Sequence, residues 1–543
     1  MIGFRRARFL LVFVLILGLA ASAWAEGIIP VNDTGAGNWV FDQPSVVANG
    51  SLLHVAFVGD GINGADSASL NTRLYYAAVN GGVDFANRLI TRAQVLVTAP
   101  VAIDNGDAYV DARHPQIAFR SATELAILFQ ARPSAGATFK LFLARITLGN
   151  NAVASQRVDK ITNAAGTDFL TTALTDPSFA LVAADGTLRV AFSSYPSLGG
   201  PPFSDVYYAR VGLDNARVVD SPILLTKPYP PSITASSLGV SPLPRLRLDG
   251  YNNSHVVWAA NGNTTGTPTG IYYALVKTVP PSVVDILAIG ATQVLSGGNR
   301  WGFPSVLMTS SSNIWILAAD EPETGWSTGL AGSLGISEVN PYAVTHDGNP
   351  VNVNNIASGA NASFFLNPPG ASVLSHDFDA YQPEAVLDSQ SRVHVSGYGF
   401  RGGPPLYQGT PGRYYVMALG TTTSNTGTSS IFASMVGAPV SVGTGDLAFA
   451  LQLPGDYTRP AFVPYNGKSV NFWSGPDNVV TGARNLYVTS TYAPVFPSEA
   501  QSGCSIVGDP RRGEAERIPG AAVLLLPAAL LALRRAARKA FAL

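Results

Sequence analysis

The chain has 543 residues, of which only 13% are charged, and its formal net charge is −1. Without a basic stripe along the sequence, we do not expect a nucleic-acid partner. Its 54 glycines and 38 prolines are typical of an all-β protein with many turns.

One pattern recurs about seven times in the chain. It comprises a proline, a short apolar strand, a turn, a second strand such as His-Val-Ala-Phe, and a third strand such as Tyr-Tyr-Ala. A repeat built only of strands and turns is typical of small sheets that stack radially or as a solenoid. We expect the proline at the first position of the innermost strand, where no ladder donor is lost. The repeat prolines, about 60 to 80 residues apart, are Pro44, Pro115, Pro177, Pro244, Pro304, Pro383 and Pro460.

These repeats predict an all-β fold, a seven-bladed β-propeller over residues 26–490. The fifth repeat is irregular, so six or eight blades are alternatives, and a multi-domain β-sandwich is a further one. Residues 348–370 and 420–445 are rich in small and polar side chains, which favours long surface loops.

The N-terminus has the composition of a secretory signal peptide. A basic start containing Arg5 and Arg6 is followed by an apolar run over residues 9–20 and by Ala23-Trp24-Ala25, a small-x-small cleavage site. We predict cleavage after Ala25 by signal peptidase, so that residues 1–25 are removed and the chain is secreted across the inner membrane. A retained anchor helix is the alternative.

The C-terminus is built in three parts. Residues 491–517 form a linker that carries Gly503-Cys504-Ser505, and residues 518–543 contain an apolar stretch followed by a basic end. The apolar stretch is near the length of a short transmembrane helix, and the basic end is expected on the cytoplasmic side. Because Cys504 is the only cysteine, an internal disulfide or a cysteine-based metal site is excluded. A plain membrane anchor and a surface amphipathic helix are alternatives.

The repeat resembles the blades of bacterial BNR or sialidase-like β-propellers. The closest copy combines Asp185-Gly186 with Val206-Tyr207-Tyr208-Ala209-Arg210. This resemblance implies the propeller fold, which hosts many unrelated functions. The Asp-box turn motif that is frequent in sialidases is not found, and this counts against an enzymatic function.

The C-terminal tail resembles bacterial sorting tails of the MYXO-CTERM and JDVT-CTERM kind, which combine a Gly-Cys motif, a short helix and an arginine-rich end. The resemblance implies that an intramembrane sorting protease removes the helix. Gly503, Cys504 and Ser505 would then form the processing and anchoring motif, with Cys504 as the attachment point at the cell surface or envelope.

Charged residues near the repeat prolines are the candidate ligand-binding residues. Aspartates stand four residues before three of these prolines, and arginines, Arg245 among them, lie close by. If the proline opens the innermost strand, these side chains lie at one mouth of a central channel. The alternative is that each aspartate bonds its own backbone in a turn. The candidates are Asp111, Arg113, Arg300, Asp379, Asp456 and Arg459.

No cofactor and no metal site are expected, although the oxygen-rich stretches 60–66 and 104–111 leave structural calcium as an alternative. His54, His255 and His394 occupy the same position of the repeat, which favours a packing role over a ligand role.

The sequence therefore predicts a secreted, surface-anchored β-propeller that acts as a binding or adhesion module for an extracellular glycan or protein. The first alternative is a sialidase-like glycoside hydrolase, and the second is a structural cell-surface protein without a specific ligand.

Overall fold

In the computed structural model, the described residues are all placed in strands, turns and irregular segments. No helix among them is long and apolar enough to cross a membrane. The predicted signal peptide and the tail that carries Cys504 lie outside the described residues. Those described are 29–30, 40–60, 72–81, 98, 101–103, 109–195, 205–225, 243–260, 270–279, 283–285, 292–296, 300–308, 314–321, 333–344, 350–357, 378–387, 392–401, 413–422, 431–435, 440–441, 461–465, 468–478 and 483–492.

The strands follow the sequence repeat. Each repeat contributes an antiparallel meander whose first strand contains the repeat proline or begins directly after it. The first three repeats contain β2 (Val40–Asn49), β3 (Leu52–Asp60), β4 (Thr72–Asn80) and β5 (Val101–Ala102); then β6 (Val110–Ser121), β7 (Glu124–Arg132), β8 (Lys140–Gly149) and β9 (Ala152–Lys160); then β10 (Ala173–Val182), β11 (Thr187–Tyr195), β12 (Asp205–Gly212), β13 (Arg217–Val218) and β14 (Ile223–Leu224). The fourth and fifth repeats contain β15 (Arg245–Leu248), β16 (Ser254–Ala260), β17 (Gly270–Val279), β18 (Val283–Asp285) and β19 (Thr292–Ser296); then β20 (Arg300–Met308), β21 (Ile314–Glu321), β22 (Ser333–Val344) and β23 (Pro350–Ala357). The last two repeats contain β24 (Phe378–Leu387), β25 (Arg392–Arg401), β26 (Arg413–Thr422), β27 (Ile431–Met435) and β28 (Val440–Ser441); then β29 (Ala461–Tyr465), β30 (Lys468–Asn478) and β31 (Ala483–Tyr492), which pairs with β1 (Ile29–Pro30).

The fold is all-β and propeller-like, because the apolar side chains of one repeat pack against those of the next. One buried cluster joins β3 and β4 to β7 and β8, a second joins β7 and β8 to β11 and β12, and others continue to β16, β17 and β21. Strands such as β7 and β11 are buried on both faces. A sheet covered on both sides is expected of a blade held between two other blades.

The repeat proline lies in a β-bulge in five of the seven repeats. We expected it at the first position of the strand, but Pro44, Pro115, Pro177, Pro304 and Pro383 each lie inside their strand, where the pairing register skips the proline and the residue before it. Proline has no N–H to give to the ladder, and a bulge leaves that position unpaired. In the other two repeats, the strand begins directly after Pro244 or Pro460.

A cross-repeat hydrogen bond recurs on the C-terminal side of this proline. The acceptor is the side chain of the residue directly after the proline. The donor is a backbone N–H in the next repeat, from the second residue after the proline of that repeat. Ile117 N donates to Ser45 Oγ at 3.2 Å, Phe179 N donates to Gln116 Oε1 at 3.1 Å, and Leu246 N donates to Ser178 Oγ at 2.9 Å. These bonds fix the height of each innermost strand relative to its neighbour.

The histidines at the shared repeat position pack inside the sheets, as predicted. His54 and His255 are buried. His54 Nδ1 lies 2.6 Å from the Tyr76 hydroxyl, and His255 Nδ1 lies 2.9 Å from the Tyr273 hydroxyl. His255 Nε2 also contacts the buried Asp249 carboxylate at 3.3 Å. The side chain of His394 is outside the described set.

We predict that His54 makes the protein less stable in mild acid. Burial lowers the pKa of His54 from 6.5 to about 4. The unfolded chain therefore binds more protons than the folded chain between these values, and stability falls as the pH drops through 6.5 towards 4. The free energy of unfolding in urea should decrease by about 2 kcal/mol between pH 7 and pH 4.5 from this group alone.

The variant His54→Asn is the control, because asparagine keeps a short polar side chain that gains no proton between pH 7 and pH 4.5. It should lose that part of the pH dependence, whatever its stability at pH 7. An equal dependence in both proteins would show that His54 is not the responsible group.

Candidate functional site

The residue before the repeat proline adopts a left-handed backbone conformation in four repeats. The φ angles are +53° at Gln43, +49° at His114, +52° at Asp176 and +46° at Leu243. For a residue other than glycine, this conformation costs on the order of 1–3 kcal/mol and persists only where the surroundings hold it. These four residues line one shared cavity, and three of them, Gln43, His114 and Asp176, lie in a bulge.

The cavity lies where five of the innermost strands meet. It has a volume of about 270 Å³ and is lined by residues at or near the prolines of β2, β6, β10, β15 and β24. Such a site is smaller than the roughly 300–1,000 Å³ pockets of drug-sized ligands. Its polar lining comprises Gln43, Ser45, His114, Gln116, Asp176, Arg245, Arg247 and Glu384.

His114 and Asp176 form a hydrogen-bonded pair at one side of the cavity. His114 Nδ1 lies 2.9 Å from Asp176 Oδ1 and 3.2 Å from Gln130 Oε1. Gln130 Oε1 accepts the Asp176 backbone N–H at 2.5 Å, which identifies it as the amide oxygen. Both neighbours of Nδ1 are acceptors, so this nitrogen carries a proton and donates. The backbone N–H of His114 donates to Gln43 Oε1 at 2.6 Å, so these bonds connect β2, β6 and β10.

Two arginines of β15 line the opposite part of the cavity. Arg247 Nη2 lies 3.0 Å from Glu384 Oε1 of β24, which links two repeats that are not neighbours in sequence. Burial lowers the pKa of Arg245; Glu384 and Asp176 act in the opposite direction, and Arg247 adds to the lowering. An arginine keeps its proton in proteins, so Arg245 is a buried cation whose charge is favoured by these two carboxylates.

A second charged cluster, which we call the mouth cluster, surrounds Asp111 near the start of β6. Asp111 is buried and lies 3.0 Å from Arg113 Nε and 3.1 Å from Arg132 Nε, and Thr72 Oγ1 donates to it at 3.0 Å. Both guanidinium groups lie over the ring of Phe139, at 5.1 and 4.5 Å from its centroid. Arg113 is 36% exposed, so this cationic group can be reached from solvent.

The predicted site residues divide into three groups. Asp111 and Arg113 lie together in the mouth cluster. The alternative that Asp111 only bonds its own backbone is wrong, because two arginines hold its carboxylate. Arg300 and Asp379 lie at the starts of β20 and β24, each four residues before its proline like Asp111, and their side chains are outside the described set. Asp456 and Arg459 lie outside the described residues, as do Ala25, Gly503, Cys504 and Ser505.

The sequence marked mainly residues two to four positions before the proline, with Arg245 and Arg459 directly beside it. The cavity is lined by the residues directly before and after the repeat proline, such as His114, Asp176 and Glu384. The available signal was that these two positions are mostly polar in an otherwise apolar strand. No group of three or more metal-ligating side chains occurs among the described residues, and stretches 61–71 and 104–108 lie outside them.

Comparison with known proteins finds structural similarity only. No protein-family model and no curated protein matches this chain. Solved structures that resemble it include a Hadza microbial sialidase (13% identity, 81% of this chain and 76% of that chain, TM-score 0.41). Others are an ulvan lyase of polysaccharide lyase family PL25 (11%, 86% and 96%, 0.48) and an α-L-arabinanase of Penicillium chrysogenum (11%, 71% and 95%, 0.38). At this identity and TM-score, the similarity assigns no ligand and no reaction.

We predict that Asp111→Asn destabilises the protein by about 2–4 kcal/mol, because it leaves Arg113 and Arg132 side by side without their shared carboxylate. Urea unfolding of the two proteins at pH 7 measures this difference. Glu124→Gln is the matched control, since its pair with Arg120 is exposed and should contribute under about 1 kcal/mol. Equal effects of the two substitutions would refute a structural role of the Asp111 carboxylate.

Proposed function

We propose that this chain is a secreted, surface-anchored β-propeller with seven blades that binds an extracellular glycan or protein at the mouth of its central channel. The observation that carries the proposal is the convergence of polar side chains from five innermost strands on one cavity, next to the solvent-accessible mouth cluster. The bulges hold the lining side chains in strained conformations, and such strain is concentrated at functional sites.

Seven blades are supported by the way the last repeat meets the first. β1, from the N-terminal side, pairs antiparallel with β31, so Ile29 lies opposite Val488. Apolar side chains of β3 and β4 pack with those of β30 and β31 in one buried cluster. These contacts between the first and the last repeat are expected of a closed ring in which one strand from the N-terminal side completes the last blade.

A glycan fits the site better than a protein segment does. The cavity offers donors and acceptors in close alternation, among them Gln43, His114 and Glu384, and it is small. A sugar ring presents hydroxyl groups that both donate and accept, whereas an extended peptide needs a groove. The mouth cluster adds two planar guanidinium groups suited to hydroxyl or carboxylate oxygens.

Glycoside hydrolysis is the second candidate, because the cavity contains two carboxylates on different strands, Asp176 and Glu384. Hydrolases of this type use a pair of carboxyl groups as acid and nucleophile or base. In this chain, however, Asp176 contacts His114 and Glu384 contacts Arg247. These contacts favour holding a ligand over attacking it.

The decisive experiment is a glycan array probed with the labelled full-length protein, with released sugars assayed in parallel. We predict selective binding without release. Arg113→Ala should weaken that binding about tenfold, because a charge-assisted hydrogen bond contributes roughly 1.5–3 kcal/mol.

Arg157→Ala is the matched control, since Arg157 is 64% exposed on the outer strand β9, and it should bind like the original protein. Release of sugar that is abolished by Glu384→Gln or Asp176→Asn would instead establish the hydrolase. Absence of any binding would leave the protein-ligand or structural alternative.

The proposal of surface attachment is supported by the sequence of the C-terminal tail alone. We predict that Cys504→Ser abolishes processing of the C-terminus and reduces surface display, because this cysteine is the only possible thiol attachment point. Intact mass and protease accessibility on whole cells measure both effects, with Ser502→Ala as the control. Unchanged mass and display in Cys504→Ser would exclude the sorting mechanism.

A further inference from the structure

The first and the last described strands of the chain pair with each other. β1 runs antiparallel to β31, so that Ile29 lies opposite Val488 and Pro30 lies opposite Tyr487. In an antiparallel pair, the start of one strand and the end of the other lie at the same edge of the sheet. The chain therefore enters β1 and leaves β31 at one edge of the last repeat.

That edge is opposite to the cavity and the mouth cluster. We call the edge at which the first strands begin the mouth face, since Gln43, His114 and Asp176 line the cavity there. The opposite edge is the turn face, which carries the turns between first and second strands, such as residues 49–52 and 121–124. β31 pairs parallel with β2. It therefore begins at the mouth face and ends at the turn face.

Both predicted membrane-linked segments adjoin the turn face. Residues 26–28 separate the predicted cleavage site from β1, and their extended length is about 10 Å. Residues 493–504 separate β31 from Cys504, and their extended length is about 40 Å. The chain thus leaves the described strands from the same face towards the signal peptide and towards the predicted attachment point.

The segment up to Cys504 is too short to bring the mouth face to the membrane without a cost. A strand of nine residues, such as β7, is about 30 Å long, and this length separates the two faces. A flexible chain of the length of residues 493–504 has an average end-to-end distance of about 20 Å. To reach a membrane on the mouth side, this segment would have to pass the whole strand length in a nearly extended form, which reduces its conformational entropy.

We propose that the turn face is directed towards the membrane that holds the tail, and that the cavity and the mouth cluster open away from it. This orientation rests on the surface attachment and the binding site of the proposed function. It selects the kind of partner, because a site that opens outwards meets extracellular polymers or the surface of another cell. The headgroups of the protein's own membrane lie on the opposite side.

The experiment is cysteine labelling on whole cells that carry the full-length protein. Ser134 lies in the turn between β7 and β8 on the mouth face, Ser51 lies in the turn between β2 and β3 on the turn face, and both are exposed. Ser134→Cys should react with a small maleimide and with a maleimide carried on a large polyethylene glycol. Ser51→Cys should react with the small reagent but lose most of its reaction with the large one, because the nearby membrane excludes it. The unsubstituted protein measures any reaction of Cys504.

The same full-length variants released in detergent are the matched control, and there both should react with the large reagent. Should a serine variant unfold, Ala135→Cys and Ala122→Cys repeat the comparison at exposed positions of the same two faces. Equal reaction of both faces with the large reagent on cells, or stronger reaction at the turn face, overturns the orientation while the attachment stands. Loss of the protein from the cells overturns the attachment and the orientation together.

Discussion

The bulge at the repeat proline is the constraint on which the rest of the structure depends. The innermost strand must cross the centre of the fold, and it carries a residue that cannot donate to the ladder. The strand solves this by leaving two residues, such as His114-Pro115, opposite one residue of its partner. That step twists the strand, turns the residue before the proline inwards, and starts a new register for the residue after it.

The two consequences of the bulge have different roles. On the C-terminal side, short side chains such as Ser45 and Ser178 bond the next repeat and fix the packing of neighbouring sheets. On the N-terminal side, longer side chains such as Gln43 and His114 meet at the centre. The same device thus provides stability between repeats and a polar lining in the channel, and the strained backbone is offset by the hydrogen bonds that it makes possible.

The sequence predicted the part of this arrangement that repeats. A proline every 60 to 80 residues, Asn-Gly and Asp-Gly turns, and strands apolar on both faces were enough for an all-β propeller and for the packing role of His54 and His255. The bulge could not be predicted, since a proline at a strand end and a proline inside a bulge have the same sequence pattern. The cavity is lined by the immediate neighbours of the proline, of which the sequence marked only Arg245.

Contacts across the channel were also beyond sequence reasoning. Arg247 and Glu384 are 137 residues apart and belong to repeats that are not consecutive, so no spacing rule joins them. Asp111 illustrates the opposite case: it was singled out by its position in the repeat, but its partner Arg132 comes from the end of β7, where nothing in the repeat marks it. Local patterns determine which strand a residue joins, whereas the closing of the sheets around a centre determines which charges meet.

The pairing of the charges supports the binding function that we propose. A general acid or nucleophile must be free to exchange a proton or to attack, yet Asp111, Asp176 and Glu384 are each held within 3.1 Å of a basic side chain. Charges paired in this way keep the lining ordered before a ligand arrives, which reduces the entropy lost on binding.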